Sequence, residues 1–420
     1  MSIDALRGFD MFWILGADSL VYALNKLGNC APTQFLQTQL SHCLWAGMHF
    51  YDLIFPLFVF IMGVSTVFSL SKIIQTEGRG AAVKRIVRRS VLLFILALIY
   101  SGGFTNPWPD LRLMGVLNRI ALCYFFGGLM FCFFNTRMLI AAAIALLVGY
   151  WAMMSFIPIR DIHLDQDSLA AQAQAAGNPE LAAQFNAITS GTNNPSAIPG
   201  SPVWAAAHQM YFDTTNMVKG KFDMGYNLSN HFDFVHLPGR LYNIFWDPEG
   251  LLSTIPAIAS GIFGIFAGLF LRNSPLPDER KVFWLIGMGI ASVVIGFLWG
   301  MEFPVVKKIW TSSFVLVAGG YSAILLGVFY WIVDIQKWRL WCQPFVWVGM
   351  NPITLYFVSN LTGGEGYRKI AARIAGGPIL SYLNTHIAQG FGDVIVSLIS
   401  IALFFWLAHF MYRRKIFLRL

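Results

Sequence analysis

A short stretch of the chain places two imidazoles and a carboxylate close together. It contains His42, His49 and Asp52, and the last two are one helical turn apart at the start of an apolar run. An imidazole can remove a proton from an amine or hydroxyl, or carry an acyl group, and a carboxylate can orient it. A histidine beside a membrane interface is more often a structural residue. The residue types alone therefore leave a catalytic and a structural interpretation open.

Charged residues interrupt the first apolar run of the chain. They are Asp4, Arg7, Asp10 and Asp18, and on a helical wheel all but Asp10 share one face. Ionisable groups are costly inside a bilayer and tend to occur at sites or pathways. Asp4 and Arg7 can satisfy each other as an ion pair three residues apart. Asp18 has no such local partner and is the better functional candidate.

Three later segments carry polar groups in or beside apolar runs. Asn118 and Arg119 lie inside one run, where an arginine needs an acidic or carbonyl partner. The carboxylates of residues 247–250 open a helix, where they either cap it or contact a ligand. Asn351 precedes Pro352 early in another run, and a break there either exposes backbone groups to a ligand or only bends the helix.

A basic cluster lies between the second and third apolar runs. It consists of Lys84, Arg85, Arg88 and Arg89. Such side chains bind phosphates. Basic residues also accumulate in cytoplasmic loops for reasons of topology alone, so both interpretations stay open.

The composition predicts that these groups are positioned by membrane-embedded helices. Of 420 residues, 56% are hydrophobic and 12% charged, which is more apolar material than one soluble core can bury. The net charge of +8 is not arranged as a basic patch interleaved with aromatic residues, so nucleic acid is not an expected partner. The five cysteines form no CxxC pair, and no metal site is expected. We expect an all-α polytopic membrane protein.

Ten apolar stretches are long enough, or nearly so, to cross a bilayer. They lie near residues 5–24, 48–71, 88–104, 113–134, 137–157, 251–271, 282–300, 311–334, 344–361 and 392–411. The distribution of basic residues predicts that both termini are cytoplasmic and that one long periplasmic segment joins helices five and six. The chain then divides into a five-helix half (1–157), the periplasmic segment (158–250) and a second five-helix half (251–420), which form one integrated membrane domain.

Several blocks of sequence occur in the order and spacing of a known family. They are SIDALRGFDMF (2–12), HCLWAGMHFYDLIFPLFVFIMG (42–63), RLMGVLNRIALCY (112–124), WDPEGLLSTIPAI (246–258), FPVVKKIWTSSFVL (303–316), GMNPITLY (349–356) and RRKIF (413–417). Through them the chain resembles, over nearly its whole length, the heparan-α-glucosaminide N-acetyltransferase family and its bacterial relatives, which acetylate amino sugars.

The resemblance implies an enzyme that moves acetyl from cytoplasmic acetyl-CoA to an amino sugar or glycan at the periplasmic face of a bacterial inner membrane. It identifies His42 with the family's active-site histidine, and Asp52 or Asp18 would orient the ring. Residues expected to contact the thioester or the acceptor are Asn118, Arg119, Asn351, His49 and Glu249. The phosphates of CoA would bind the basic cluster Lys84, Arg85, Arg88 and Arg89.

Two other functional classes stay open from sequence. A transporter or exporter of a small glycan or lipid-linked metabolite would also contain charged and broken helices, although no internal repeat supports it. A non-catalytic membrane partner would make no use of His42. Small residues on the helices, namely Gly127, Gly128, Gly261, Gly264 and Gly268, favour close packing either within the chain or in a homodimer.

Overall fold

The chain folds mainly into helices, and the computed structural model describes residues 1–28, 30–103, 105–188, 199–361 and 366–417. The first part contains α1 (Ser2–Phe12), a π-helical turn (Trp13–Ala17), α2 (Asp18–Leu27), α3 (Ala31–Gln39), α4 (Phe50–Glu77), α5 (Arg79–Tyr100), a 3-10 turn (Trp108–Asp110), α6 (Val116–Phe133) and α7 (Thr136–Phe156). The middle part contains β1 (Ile159–Arg160), α8 (Gln166–Ala175), α9 (Pro179–Ala187), α10 (Pro202–Asp213), β2 (Met217–Val218), β3 (Phe222–Asp223), β4 (Tyr226–Asn227) and α11 (Leu228–His236). The last part contains α12 (Leu251–Asn273), α13 (Asp278–Trp299), α14 (Ser312–Phe329), a π-helical turn (Tyr330–Ile335), α15 (Gln343–Met350), α16 (Pro352–Leu361), α17 (Gly366–Ala375), α18 (Gly377–His386) and α19 (Phe391–Arg413).

Seven helical segments within the described ranges are long and apolar enough to cross a membrane. They are α4, α6, α7, α12, α13, α14 with its π-helical extension, and α19. A helix pairs its own backbone groups, which lipid requires. The all-α, multi-pass membrane architecture expected from the sequence is therefore confirmed.

The other three expected spans are helical but interrupted or charged. The first is divided into α1 and α2 at Gly16, whose φ of 134° breaks the helix. The third is α5, which carries the basic cluster in its first half. The ninth is divided into α15 and α16 at Asn351, directly before Pro352, because proline cannot continue the hydrogen-bond ladder. The total of ten spans and their orientation stay predictions.

Residues 158–250 pack around a separate apolar core. Leu164, Phe185, Phe234 and Phe245 are buried together there, and β1 pairs with β2 and β3 with β4 in antiparallel hairpins. Several aromatic residues of this segment belong to this core, among them Tyr211 and Trp246. Tyr242 is different, because its side chain is 56% exposed.

The centre of the helical part is α4, which packs against α12 at very close range. At Gly264, a Cβ atom would lie 1.9 Å from the carbonyl oxygen of Phe60, so only glycine permits this approach. Gly264 therefore supports packing within the chain. The homodimer stays a prediction.

A second close crossing joins α1 to α15. A Cβ atom on Gly349 would lie 1.9 Å from the carbonyl oxygen of Asp4, so the two backbones touch. The crossing fixes the interrupted first span against the interrupted ninth span. Residues of both spans line the cavity described below.

Candidate active site

The start of α4 fixes the position of Asp52. Its Oδ2 accepts the backbone N–H of His49, the residue that caps the helix, at 3.1 Å, as in a capping box. The same oxygen accepts the N–H of Cys43 at 3.1 Å. The side chain is 1% exposed, so the helix start and the preceding loop hold a buried carboxylate in a single orientation.

The other oxygen of Asp52 contacts two basic side chains. Oδ1 lies 2.8 Å from Nδ1 of His42 and 3.3 Å from Nζ of Lys307, and the two basic nitrogens are 3.2 Å apart. The shorter contact to an acceptor oxygen assigns the imidazole proton to Nδ1. Nε2 then carries the free lone pair, and the His42 side chain is 52% exposed. His42 can therefore act as a base toward a molecule in the adjoining cavity.

Lys307 reaches this pair from the loop between α13 and α14. An isolated antiparallel bridge joins Ala46 to Val306, and Gly47 donates its N–H to the carbonyl of Val305 at 2.9 Å. Burial lowers the pKa of Lys307, and the nearby Asp52 carboxylate opposes this effect. The bridge thus places an ammonium group beside a carboxylate that is distant in sequence.

A second charged group is organised by Asp247. Its carboxylate accepts two hydrogen bonds from Arg112, at 2.8 and 2.6 Å, and the backbone N–H groups of Tyr242 and Glu249 at 3.0 and 2.9 Å. Arg112 also donates to Glu249 Oε2 at 2.6 Å and lies over the Tyr242 ring at 4.7 Å. Asp247 therefore orients both Arg112 and Glu249.

Both charged groups line one cavity of about 500 Å³. Its polar wall contains His42, Asp52, Arg112, Glu249, Lys307 and Lys308, and its aromatic and apolar walls include Met11, Ile14, Phe58, Tyr100, Tyr242, Trp310, Ile353 and Tyr356. The lining side chains come from the broken first and ninth spans as well as from α4. The arrangement offers a base, several hydrogen-bond donors and an apolar interior in one chamber.

Two of the other predicted site residues in the first part of the chain lie next to this group without lining the cavity. Asp18 accepts a hydrogen bond from the Tyr51 hydroxyl at 3.2 Å, and the Tyr51 ring lies 4.8 Å from the His42 ring. His49 uses Nδ1 to contact the carbonyl of Ser41 at 3.0 Å. Asp52, rather than Asp18, is thus the carboxylate in direct contact with His42.

Asn118 and Arg119 lie behind the cavity wall. Arg119 is fully buried, donates to the carbonyl of Gly250 at 3.3 Å, and has its guanidinium 4.9 Å from the centre of the Trp310 ring. Since Trp310 lines the cavity, the guanidinium supports the wall. Asn351 donates from Nδ2 to the carbonyl of Ile416 at 3.0 Å. Contacts of these three residues with a thioester stay predictions.

The basic cluster on α5 is separate from the cavity. Lys84 and Arg88 are exposed, Arg85 and Arg89 are half-buried, and the Arg89 guanidinium lies 4.9 Å over the Tyr124 ring. None of the four is among the cavity-lining residues. Their binding of CoA phosphates stays a prediction.

One group near His42 has the composition of a metal site. Cys43, His49 and Asp52 offer ligand atoms within 4.8 Å of one another. Both oxygens of Asp52 are already used, by two backbone N–H groups, His42 and Lys307. This geometry favours a carboxylate neutralised by Lys307 over one that binds a metal.

Sequence reasoning did not assign roles to Lys307, Lys308 or Arg112. The two lysines stand in the block FPVVKKIW, and Arg112 opens RLMGVLNR. Two adjacent lysines between apolar runs are typical of any solvated loop, so the sequence gives no sign of a specific role for them. Their role becomes visible only when the bridge from Ala46 to Val306 places them at His42.

Comparisons with known proteins agree with the blocks quoted above. A model of the heparan-alpha-glucosaminide N-acetyltransferase catalytic family matches residues 1–171. The chain is 26% identical over 402 residues to the mouse heparan-alpha-glucosaminide N-acetyltransferase, covering 90% of this chain and 56% of the mouse protein. It is 26% identical over 411 residues to the human protein of the same name, covering 90% and 55%. The chain thus spans about half the length of these relatives. On these matches, the chain is similar to heparan-alpha-glucosaminide N-acetyltransferases over 90% of its length, and its first 171 residues match their catalytic family model.

Proposed function

We propose that this protein is a transmembrane acetyltransferase of a bacterial inner membrane. It moves an acetyl group from acetyl-CoA on the cytoplasmic side to an amino sugar or glycan on the periplasmic side, and it depends on His42. The similarity to heparan-alpha-glucosaminide N-acetyltransferases supports N-acetyl transfer in general. The observation that carries the proposal is the 2.8 Å contact between His42 and Asp52 at a cavity large enough for substrates.

The chemistry needs one base and one path for a proton. The acceptor amine attacks the thioester carbonyl carbon, a C–N bond forms, and the C–S bond breaks. Nε2 of His42 removes the proton from the amine, and Asp52 stabilises the imidazolium that results. The proton passes to the departing sulfur, so the products are an acetamide and the free thiol of CoA.

His42 can alternatively carry the acetyl group itself. In that scheme Nε2 attacks the thioester, CoA leaves, and the acceptor amine then takes the acetyl group from the imidazole. The two schemes differ in what forms without acceptor. Incubation with acetyl-CoA alone, followed by mass spectrometry of the peptide containing His42, detects an acetyl-imidazole only in the second scheme.

The polar wall suits an amino sugar. Glu249 uses Oε2 to meet Arg112, which leaves Oε1 to accept from an acceptor amine or hydroxyl. The exposed ring of Tyr242 lines the same cavity, and an aromatic face packs well against the C–H face of a sugar. Because Asp247 fixes both side chains, the acceptor would meet a preorganised surface.

The interior of the cavity suits the arm of the donor. Met11, Phe58 and Ile353 line it and would surround the narrow pantetheine chain. The phosphates would then remain toward the basic cluster of α5, since phosphates bind guanidinium and ammonium groups. In this arrangement the donor reaches from one side of the membrane and the acceptor from the other.

A sided assay tests the proposal. Purified protein is reconstituted in liposomes, acetyl-CoA with a labelled acetyl group is supplied on one side, and glucosamine is supplied on the other. Labelled N-acetylglucosamine in the glucosamine compartment is the expected product. If this product is absent both with acetyl-CoA outside the liposomes and with acetyl-CoA inside them, acetyl transfer across the membrane is contradicted.

Transport is the second candidate, because two interrupted helices line the cavity, as in many transporters. The same liposomes separate the two functions. Entry of labelled glucosamine without acetyl-CoA indicates transport, whereas an acetyltransferase leaves the sugar outside until it is acetylated.

A further inference from the structure

Of the three arginine and lysine side chains that line the cavity, two have carboxylate partners. Arg112 is paired with Asp247 and Glu249, and Lys307 is paired with Asp52. Within the part of the chain that the structure describes, no carboxylate lies at ion-pair distance from Lys308. Lys308 is therefore an ammonium group on the cavity wall that has no ion-pair partner among the described residues.

Lys308 lies beside one aromatic side chain. Its ammonium lies 6.0 Å from the centre of the Trp246 ring, at the outer limit of a cation–π contact. Trp246 is buried and packs edge-on against Trp45 at 5.6 Å. The Lys308 side chain is half-buried, in contrast to a lysine extended into solvent. Lys308 is thus a partly desolvated ammonium group on the cavity wall.

The environment of Lys308 favours an anion from outside the protein. Burial lowers the pKa of Lys308, with Asp52 opposing the change, since a partly desolvated ammonium lacks full hydration. Asp52 already contacts His42, Lys307 and two backbone N–H groups. An additional carboxylate in the cavity would supply the missing counter-charge.

The volume of the cavity limits where that carboxylate can be. About 500 Å³ must hold both the reacting amine and the thioester, and His42, Lys307 and Lys308 line this one chamber. A long glycan does not fit inside it. Because His42 and Lys308 line the same chamber, a carboxylate on the same sugar unit as the amine would lie near both.

We propose that Lys308 is a specificity-determining residue that binds a carboxylate on the acceptor, so that the preferred acceptor is an acidic amino sugar rather than neutral glucosamine. This inference rests on the proposed acetyl transfer. A zwitterionic acceptor also suits the uncompensated ammonium better than a purely cationic one does, because the carboxylate offsets the repulsion between two positive groups.

Three acceptors test the inference: glucosamine, muramic acid, and the methyl ester of muramic acid. Muramic acid is glucosamine with a carboxylate-bearing ether, and the ester has nearly the same size without the charge. We expect wild-type protein to favour muramic acid over its ester by about 10-fold or more in kcat/KM, mainly through KM, as for one charge-assisted hydrogen bond. Lys308→Gln should lower the acid-to-ester ratio to about 1, and Lys308→Arg should retain most of the preference.

Lys219→Gln is the matched control, because Lys219 is exposed and does not line the cavity. It should leave the acid-to-ester ratio unchanged. Equal use of acid and ester by the wild-type protein would overturn the inference, and so would an equal loss of all three acceptors in Lys308→Gln. Failure of the wild-type protein to acetylate any of the three acceptors would instead count against the proposed function, and the inference would fall with it.

Discussion

The ammonium of Lys307 lies 3.3 Å from the Asp52 oxygen that also meets His42 at 2.8 Å. The buried carboxylate is therefore shared between a base and a fixed cation. Lys307 comes from the loop that follows α13, whereas Asp52 lies in the first turn of α4 and His42 in the loop before it. Activity should depend on the bridge between these two loops as well as on the imidazole.

Replacing Lys307 tests this dependence. Lys307→Met keeps the length of the side chain and removes the charge, which leaves the buried Asp52 with fewer partners. The loss of one charge-assisted contact, about 1.5–3 kcal/mol, should lower kcat by about 10- to 100-fold and also lower the melting temperature. Lys307→Arg should keep kcat and the melting temperature between those of Lys307→Met and wild type. Unchanged turnover in Lys307→Met would mean that the cation has no role in the reaction.

Asp52→Asn should affect the reaction more than the fold. The amide oxygen can still accept the N–H groups of His49 and Cys43, but it cannot stabilise an imidazolium. We expect kcat to fall by about 10²–10⁴-fold, as for the removal of a carboxylate that orients a catalytic histidine. Steady-state kinetics together with the melting temperature check this. Full turnover in a variant that melts like wild type would remove Asp52 from the mechanism.

Asp247→Asn should weaken both acceptor binding and stability. Asp247 has 0% exposure and accepts hydrogen bonds from Arg112 and two backbone N–H groups, so its loss leaves Arg112 with Glu249 alone. Breaking a buried pair costs about 3–5 kcal/mol. A higher KM for the acceptor with a lower melting temperature is the expected result. A change in kcat alone would contradict a positioning role.

The sequence predicted the helical membrane fold because apolar composition and helix length are local properties. It left either Asp52 or Asp18 as the carboxylate beside His42, and the structure shows the contact with Asp52, which lies in the helix that follows the His42 loop. The roles of Lys307 and Arg112 depend on contacts between distant loops, and no periodic pattern encodes these. The sequence also could not predict that Arg119 is buried behind Trp310. An arginine in an apolar run can either line a cavity or pack behind the residues that line it.

The stability of the segment 158–250 should depend on pH through His231. Burial lowers the pKa of this imidazole to about 4. Below about pH 6.5 the unfolded chain binds a proton that the folded chain does not, so stability falls as the pH drops from 6.5 to 4, by about 3 kcal/mol.

Comparison with His231→Phe isolates this group, because all other titrating groups are present in both proteins. The stability of wild type relative to the variant, measured by denaturation at several pH values, should decrease steadily below pH 6.5. A difference that is constant with pH would show that His231 is not buried in its neutral form.

The most direct test of the account is the activity of His42→Ala. Purified variant and wild type are compared for CoA binding by calorimetry and for acetyl transfer to an amino sugar by mass spectrometry of the products. The account predicts that the variant binds CoA as wild type does and forms no acetylated sugar. Acetyl transfer at the wild-type rate by His42→Ala would contradict it.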